Sequence, residues 1–293
     1  MLKNCLILSF FIICILNNPQ NIISAELTVL YTANSNGKLR ICGCPEDPYG
    51  GLAERVTLIK KLRESDIPFL LVDAGNMTDI FGDYDKKASQ VISLMNMMKY
   101  DAATVGFNEI YRGLASAEKL KNKAEFPILA STITNKYEKY ELFKTYIITH
   151  CNGNNVGIIG LCDENSFIKI GNPDFKDFIF LPSLDTLKKI LKEISGKTDF
   201  IIVLSEMSPE KNISLLKKFS KIDLIIECYT NKQYNPPIKE GKSFIVSPGK
   251  YGRFVGKIVM EKAKNTPLTI KNHEFIPVKN ILPDKEAYKI IME

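Results

Sequence analysis

The chain has 293 residues, 45% of them apolar and 25% charged, with 17 Gly, 14 Pro and no Trp. That composition excludes a disordered, collagen-like or multi-span membrane protein and is enough for one sizeable α/β core. The formal net charge of +6 comes from 39 basic and 33 acidic residues scattered among one another, and without a basic run or RNA-reading motif it sets nucleic acid aside as a partner.

Residues 1–25 read as a signal peptide. Lys3 is a short positive start, residues 6–16 form an apolar run too short to span a bilayer, and Ile23-Ser24-Ala25 is a cleavage site. Bulky Ile12 and Ile13 argue against a lipid anchor at Cys14; an uncleaved N-terminal anchor is the alternative. The expected mature protein is periplasmic or extracellular, with no transmembrane segment.

Beyond the leader, β-branched apolar runs predict strands at 27–32, 69–73, 102–105, 128–130, 146–149, 156–161, 200–204, 224–227, 244–246 and 255–260. Between them, Leu52, Val56, Ile59 and Leu62 recur at helical spacing, as do Val91, Leu94, Met95 and Met98. Leu187, Ile190, Leu191 and Ile194 form a third such stripe, closed by Gly196. Ser208-Pro209-Glu210 opens a further helix expected to bury Ile213, Leu216 and Phe219. The alternation predicts an α/β protein whose sheets are covered by helices. It forms one domain over residues 26–280, followed by a Pro-initiated helical tail over 281–293.

Phosphate-loop, dinucleotide, H-E-x-x-H and G-x-S-x-G motifs are all absent. The chain offers instead short polar segments placed just after strands, where ligand-contacting residues of α/β folds project. They are Tyr31-Thr32-Ala33-Asn34-Ser35-Asn36-Gly37, Asp73-Ala74-Gly75-Asn76, Gly106-Phe107-Asn108-Glu109, Ser205-Glu206-Met207-Ser208 and Cys228-Tyr229-Thr230-Asn231. Together with Gly50-Gly51-Leu52-Ala53, Phe126-Pro127-Ile128-Leu129-Ala130 and Gly252-Arg253-Phe254-Val255-Gly256, their wording and order resemble the UshA-like 5′-nucleotidases of the calcineurin-like metallophosphoesterase superfamily. The resemblance runs from about Leu27 to Val278 and implies a four-layer α/β/β/α sandwich.

It also implies a two-metal site, and this chain departs from it at every ligand. The family's D-x-H pair falls on Asn34 and Asn36, its bridging Asp on Asn76, and its Asn and His ligands on Phe107 and Asn108. A later His falls on Glu206, and the last H-x-[HQ] pair on Tyr229 and Asn231. Only two His exist, His150 and His273, neither in these motifs. Two dications held close together need anionic ligands, so the expectation is a pocket without bound metal. Glu109 and Glu206 are its only carboxylates, read as surface acids or as bases in a repurposed pocket.

Of seven Cys, Cys5 and Cys14 leave with the leader; Cys42, Cys44, Cys151, Cys162 and Cys228 remain. Cys42-Gly43-Cys44 is an insertion relative to ordinary 5′-nucleotidases and resembles a branch in which selenocysteine can replace a Cys. Its small disulfide ring suits exchange chemistry or a soft ligand, with Cys162 and Cys228 as accessories, whereas Cys151 in a hairpin turn is a bystander. A purely structural disulfide stays open. The leading expectation is therefore a pseudoenzyme without a cofactor, whose Cys-Gly-Cys element meets an envelope redox partner. The alternatives are a divergent hydrolase holding two divalent metals through Asn34, Asn36, Asn76, Asn108 and Glu206, and an interaction module stapled by disulfides.

Overall fold

Two six-stranded sheets lie face to face, and the chain builds them in two passes. The computed structural model describes residues 25–41, 47–137, 142–263 and 266–293. The first pass runs β1 (Ala25–Thr32), α1 (Leu52–Arg63), β2 (Leu70–Asp73), α2 (Tyr84–Met98), β3 (Ala102–Thr104), the single-turn α3 (Phe107–Ile110), α4 (Gly113–Lys123) and β4 (Ile128–Leu129). After β5 (Ile133–Asn135), the second pass runs β6 (Tyr146–Cys151), β7 (Asn154–Cys162), α5 (Glu164–Ile170), β8 (Phe178–Phe180), α6 (Ser183–Ile194) and β9 (Phe200–Glu206). It continues through α7 (Pro209–Lys218), β10 (Leu224–Glu227), β11 (Ile238–Glu240) and β12 (Ser243–Val246). The chain then returns to the first sheet with β13 (Phe254–Lys262) and β14 (Thr269–Pro277) and ends in α8 (Lys285–Met292).

The sheet orders are β14-β13-β1-β2-β3-β4 and β11-β12-β10-β9-β7-β6, with β5 and β8 forming a separate ribbon. β1 to β4 are parallel, as are β7, β9, β10 and β12. Strands covered on both faces read as unbroken apolar runs, and β9 is buried at all seven positions. Leu27, Val29, Val72, Ile158, Ile202, Leu204 and Ile226 fill the space between the sheets. Val56, Ile59, Val91, Leu94 and Met95 pack α1 and α2 onto the outer face of the first sheet. Leu187, Ile190, Leu191, Ile194, Leu215 and Leu216 do the same for α6 and α7 on the second. This is the expected four-layer order.

The sheets approach closely at Gly160. A Cβ there would lie 2.5 Å from Thr104 Oγ1 and 2.7 Å from Leu129 Cβ. The backbone N–H and hydroxyl of Ser131 both donate to Gly160 O, at 2.8 and 2.6 Å. Only a glycine permits this contact, which fixes the ends of β3, β4 and β7 against one another.

Three local expectations change. Of the residues expected inside from α7, Leu216 is buried, with Leu215 beside it, while Ile213 and Phe219 are only partly buried. The terminal helix begins at Lys285, because the Asp284 carboxylate accepts the N–H groups of Glu286 and Ala287 and caps it; Pro283 precedes the cap. Gly196 follows the last turn of α6 as expected, without adopting positive φ. No helix among the described residues is long and apolar enough to cross a membrane.

Candidate functional site

The loops after β1, β2, β3, β9 and β10 converge at one end of the two sheets. Their backbones are joined first: Asn34 N–H donates to Gly75 O, Asn36 N–H to Asn76 O and Gly37 N–H to Met77 O, each at 2.9 Å. Asn34, Asn36 and Asn76 sit in the left-handed region with φ of 50°, 47° and 54°. Asparagine tolerates that conformation better than most residues because its short amide can bond locally.

The side chains then form a chain of amides. Asn108 Nδ2 donates to Asn36 Oδ1 at 3.0 Å and to Thr78 O at 2.7 Å. Asn36 Nδ2 donates to Asn34 O at 3.0 Å, and Asn34 Nδ2 to Thr230 O at 2.9 Å. Asn76 Nδ2 faces Asn34 Oδ1 at 3.2 Å, Glu206 Oε1 at 3.4 Å and Cys228 Sγ at 3.8 Å, while Asn76 Oδ1 accepts Asn108 N–H at 3.2 Å. The structure thus brings together Asn34, Asn36, Asn76, Asn108 and Glu206, five positions singled out in the sequence, with Cys228 beside them.

Neither carboxylate is a surface acid. Glu109 is fully buried: its Oε1 accepts the N–H and hydroxyl of Thr78, both at 2.9 Å, and its Oε2 accepts Asn76 N–H at 3.0 Å and Gly106 N–H at 2.7 Å. Burial pushes its carboxyl above the usual glutamate range, against the pull of those donors. Glu206 is 8% exposed, and its Oε1 accepts Phe107 N–H at 2.9 Å. Its Oε2 is buried without a hydrogen-bond partner. Burial pushes Glu206 up to about 8, helped by the nearby Glu109 charge.

The remaining expected residues are placed differently. Only the backbone of Phe107 serves the pocket, and its ring joins Tyr111, Phe167 and Phe175 at centroid distances of 5.2, 6.2 and 6.1 Å. Tyr229 and Asn231 point outward, and Thr230 between them supplies the carbonyl that Asn34 uses. Cys162, the last residue of β7, donates its thiol to Val105 O at 3.3 Å. Burial raises both the Cys162 and Cys228 thiols well above their ordinary value, which disfavours a nucleophilic thiolate. Cys151 ends β6 at the opposite end of the sheet, with its thiol pushed up to about 11 by burial. Cys42 and Cys44 lie outside the described residues.

Spacing does not disclose the support beneath the amides. Arg55 of α1 is 1% exposed; Nη2 donates to Ser35 Oγ at 3.0 Å and Nη1 to Tyr100 Oη at 3.4 Å. Asp73 is buried close by and accepts the Thr32 hydroxyl at 2.6 Å and Gly75 N–H at 2.8 Å. An Arg in a helix otherwise rich in surface charge is the one available signal, and the sequence does not separate it from its neighbours Lys60 and Lys61.

No family model matches the chain. It is 27% identical over 294 residues to the 5′-nucleotidase of Vibrio cholerae serotype O1, an alignment covering 86% of this chain and 52% of that protein. It is 25% identical over 292 residues to Protein UshA of Escherichia coli K12, with the same coverage of 86% and 52%. The fold matches the 5′-nucleotidase precursor of Thermus thermophilus with a TM-score of 0.79 at 19% identity, over 92% of this chain and 58% of that one. It matches the calcineurin-like phosphoesterase YfkN of Bacillus subtilis with a TM-score of 0.72 at 19% identity, over 92% and 96%. The chain is a relative of the UshA-like 5′-nucleotidases. It spans about half the length of the curated relatives it matches. In this UshA-like chain the amide pocket occupies the positions that the sequence resemblance assigned to metal ligands. Among the described residues, no group of three or more His, Cys, Asp and Glu gathers as a metal cluster.

Proposed function

We propose that this chain is an exported, non-hydrolytic member of its family, in which the two-metal site has become an amide-lined binding pocket. One observation carries the reading: at the positions assigned to the ligands, four side-chain amides hydrogen-bond to one another or to backbone carbonyls around a single carboxylate, Glu206. Whichever way an amide is turned, its oxygen is neutral, whereas a bridged pair of dications requires anionic ligands. Asn76, at the bridging position, directs an N–H toward Glu206, the remaining anionic donor. Glu109 is already occupied by four donors and offers no replacement. This donor set does not suit a dinuclear centre, and no catalytic step is derived through one. Export is supported by the composition of residues 1–25, a short positive start followed by an apolar run and a small-residue cleavage site.

The test is metal analysis of the purified protein together with hydrolysis of AMP and 4-nitrophenyl phosphate in Mn²⁺, Zn²⁺, Mg²⁺ or Co²⁺. The expected outcome is substoichiometric metal and no turnover above background. About two bound metal equivalents with turnover abolished by EDTA would restore the hydrolase reading.

Redox or soft-ligand chemistry, on this reading, belongs to Cys42 and Cys44, since the buried Cys162 and Cys228 thiols resist ionisation. Thiol titration against redox buffers is expected to show one reversible dithiol couple that a Cys42→Ser/Cys44→Ser variant lacks. A variant that loses only thermal stability would leave a structural disulfide.

A further inference from the structure

We propose that a cluster of cations around Tyr251, on the lip of the amide pocket, is a metal-independent binding site for a compact oxyanion such as a phosphate group. The inference rests on the reading that the pocket works without a dinuclear centre, and it names what the pocket takes instead.

Three side-chain cations surround one ring. Lys250 Nζ lies 5.0 Å from the Tyr251 centroid, Lys38 Nζ 5.8 Å and Arg253 Cζ 5.8 Å. The ring's negative face attracts and orients them, but it carries no net charge to neutralise them. Arg253 has a carboxylate partner, Asp47 at 2.6 Å. Among the described residues, neither Lys38 nor Lys250 has one, although lysines elsewhere pair readily, as Lys60 does with Asp284 and Lys262 with Asp223. Lys38 and Lys250 flank the same ring without a carboxylate partner among the described residues, so an anion bound at this lip gains attraction from both.

The backbone of Tyr251 supplies a separate observation. Its φ is +60°, a conformation that is a genuine outlier for a bulky side chain. Its N–H donates to Asn34 O at 2.7 Å, and Gly249 and Gly252 on either side also have positive φ. A glycine would meet the same backbone requirement without strain, so the ring sits here at a conformational cost, beside the two lysines.

The cluster is joined directly to the pocket. Asn34 receives the Tyr251 N–H on its carbonyl and directs its own amide toward Thr230 O and Gly249 O, at 2.9 and 3.4 Å. An oxyanion on this lip meets Lys38 and Lys250 as charge partners, with the Arg253 fork held in place by Asp47. Side-chain cations would then hold the anionic group at a distance from Glu206, on the far side of Asn34 and Asn76 in the amide chain.

The test uses the full chain in EDTA, at fixed ionic strength, with calorimetric titration of inorganic phosphate, phenyl phosphate and a chloride control. Saturable binding of phosphate or phenyl phosphate is expected, weakening as salt is raised. Phenyl phosphate alone would assign an ester, and both would include the free anion. Lys38→Ala/Lys250→Ala should weaken binding by roughly 10-fold or more. Tyr251→Gly should keep or raise the thermal midpoint while weakening the same binding, which separates the ring's role from backbone integrity. No saturable binding in EDTA, or double-variant binding equal to wild type, overturns the proposal. Failure of the non-hydrolytic reading appears elsewhere, as metal-dependent turnover in the absence of EDTA.

Discussion

Glu206 concentrates the cost of the altered pocket in one side chain. Its Oε2 is buried without a partner, and burial pushes the carboxyl up to about 8 from an ordinary value of 4.5. A folded-state value above the unfolded one means that the folded chain holds the proton more tightly. Stability is therefore unaffected below about pH 4.5 and falls as pH rises through the window up to about 8, above which the loss is complete. Each unit of separation corresponds to about 1.4 kcal/mol. Glu206→Gln keeps an oxygen for Phe107 N–H and cannot ionise. Urea unfolding should show the two proteins converging near pH 5 and the variant gaining by several kcal/mol toward pH 8.5, on the scale of those units. A gap independent of pH would show that the residue is paired in solution. The sequence places Glu206 among the polar segments that follow strands but does not show that it is buried. Desolvation depends on Phe107, about a hundred positions earlier, and on Asn76, more distant still. Glu109 escapes a sequence reading for the same reason: three of its four donors come from Asn76 and Thr78 on another loop.

Elements are legible where burial is two-sided. All ten strands expected from β-branched runs are present. The inner ones, such as β9, read as apolar runs because both faces are covered, while β6 shows through its β-branched residues although it is a partly exposed edge. The strands that the pattern leaves unassigned, β5, β8, β11 and β14, are three-residue pieces or an exposed edge. β14 carries Lys271, Asn272 and Glu274 among its apolar positions, and its partner register shifts at Val259/Met260, which blurs the alternation. Helices follow the same rule. α6 presents a full apolar stripe that spacing reveals, whereas α4 buries only Gly113, Ala117 and Leu120, too small a face to stand out. The terminal helix is visible in the sequence but displaced at its start, since Pro283 suggests an opening and the Asp284 carboxylate supplies it. Caps are side-chain hydrogen bonds, and spacing alone ranks two adjacent candidates poorly.

At the scale of the molecule, the pocket lies where loops from both sheets meet, and one close approach beneath it holds the sheets together. Gly160 is the contact: an added Cβ meets Thr104 Oγ1 at 2.5 Å and the backbone carbon of Leu129 at 2.8 Å, and a backbone atom of a central sheet cannot rotate aside. Gly160→Ala must therefore part β7 from β3 and β4, stretching the Ser131 bonds of 2.8 and 2.6 Å that join the layers. Overpacking of this kind costs typically about 1–3 kcal/mol. The displacement is directed along the same strands that carry Cys162 toward the pocket and Thr104 toward Phe107, so the amide chain should loosen as well as the core. Gly196→Ala is the matched control: it has negative φ, nothing lies within 4 Å of the added Cβ, and loss of glycine freedom in the unfolded chain should leave it neutral or stabilised by about 0.4–1 kcal/mol. Thermal and urea unfolding of both variants, with amide hydrogen exchange on the loops carrying Asn34 and Asn76, reads the two effects separately. Equal stability of the two variants would mean that the sheets are not held at a fixed separation, and the pocket would then owe its shape to its loops alone.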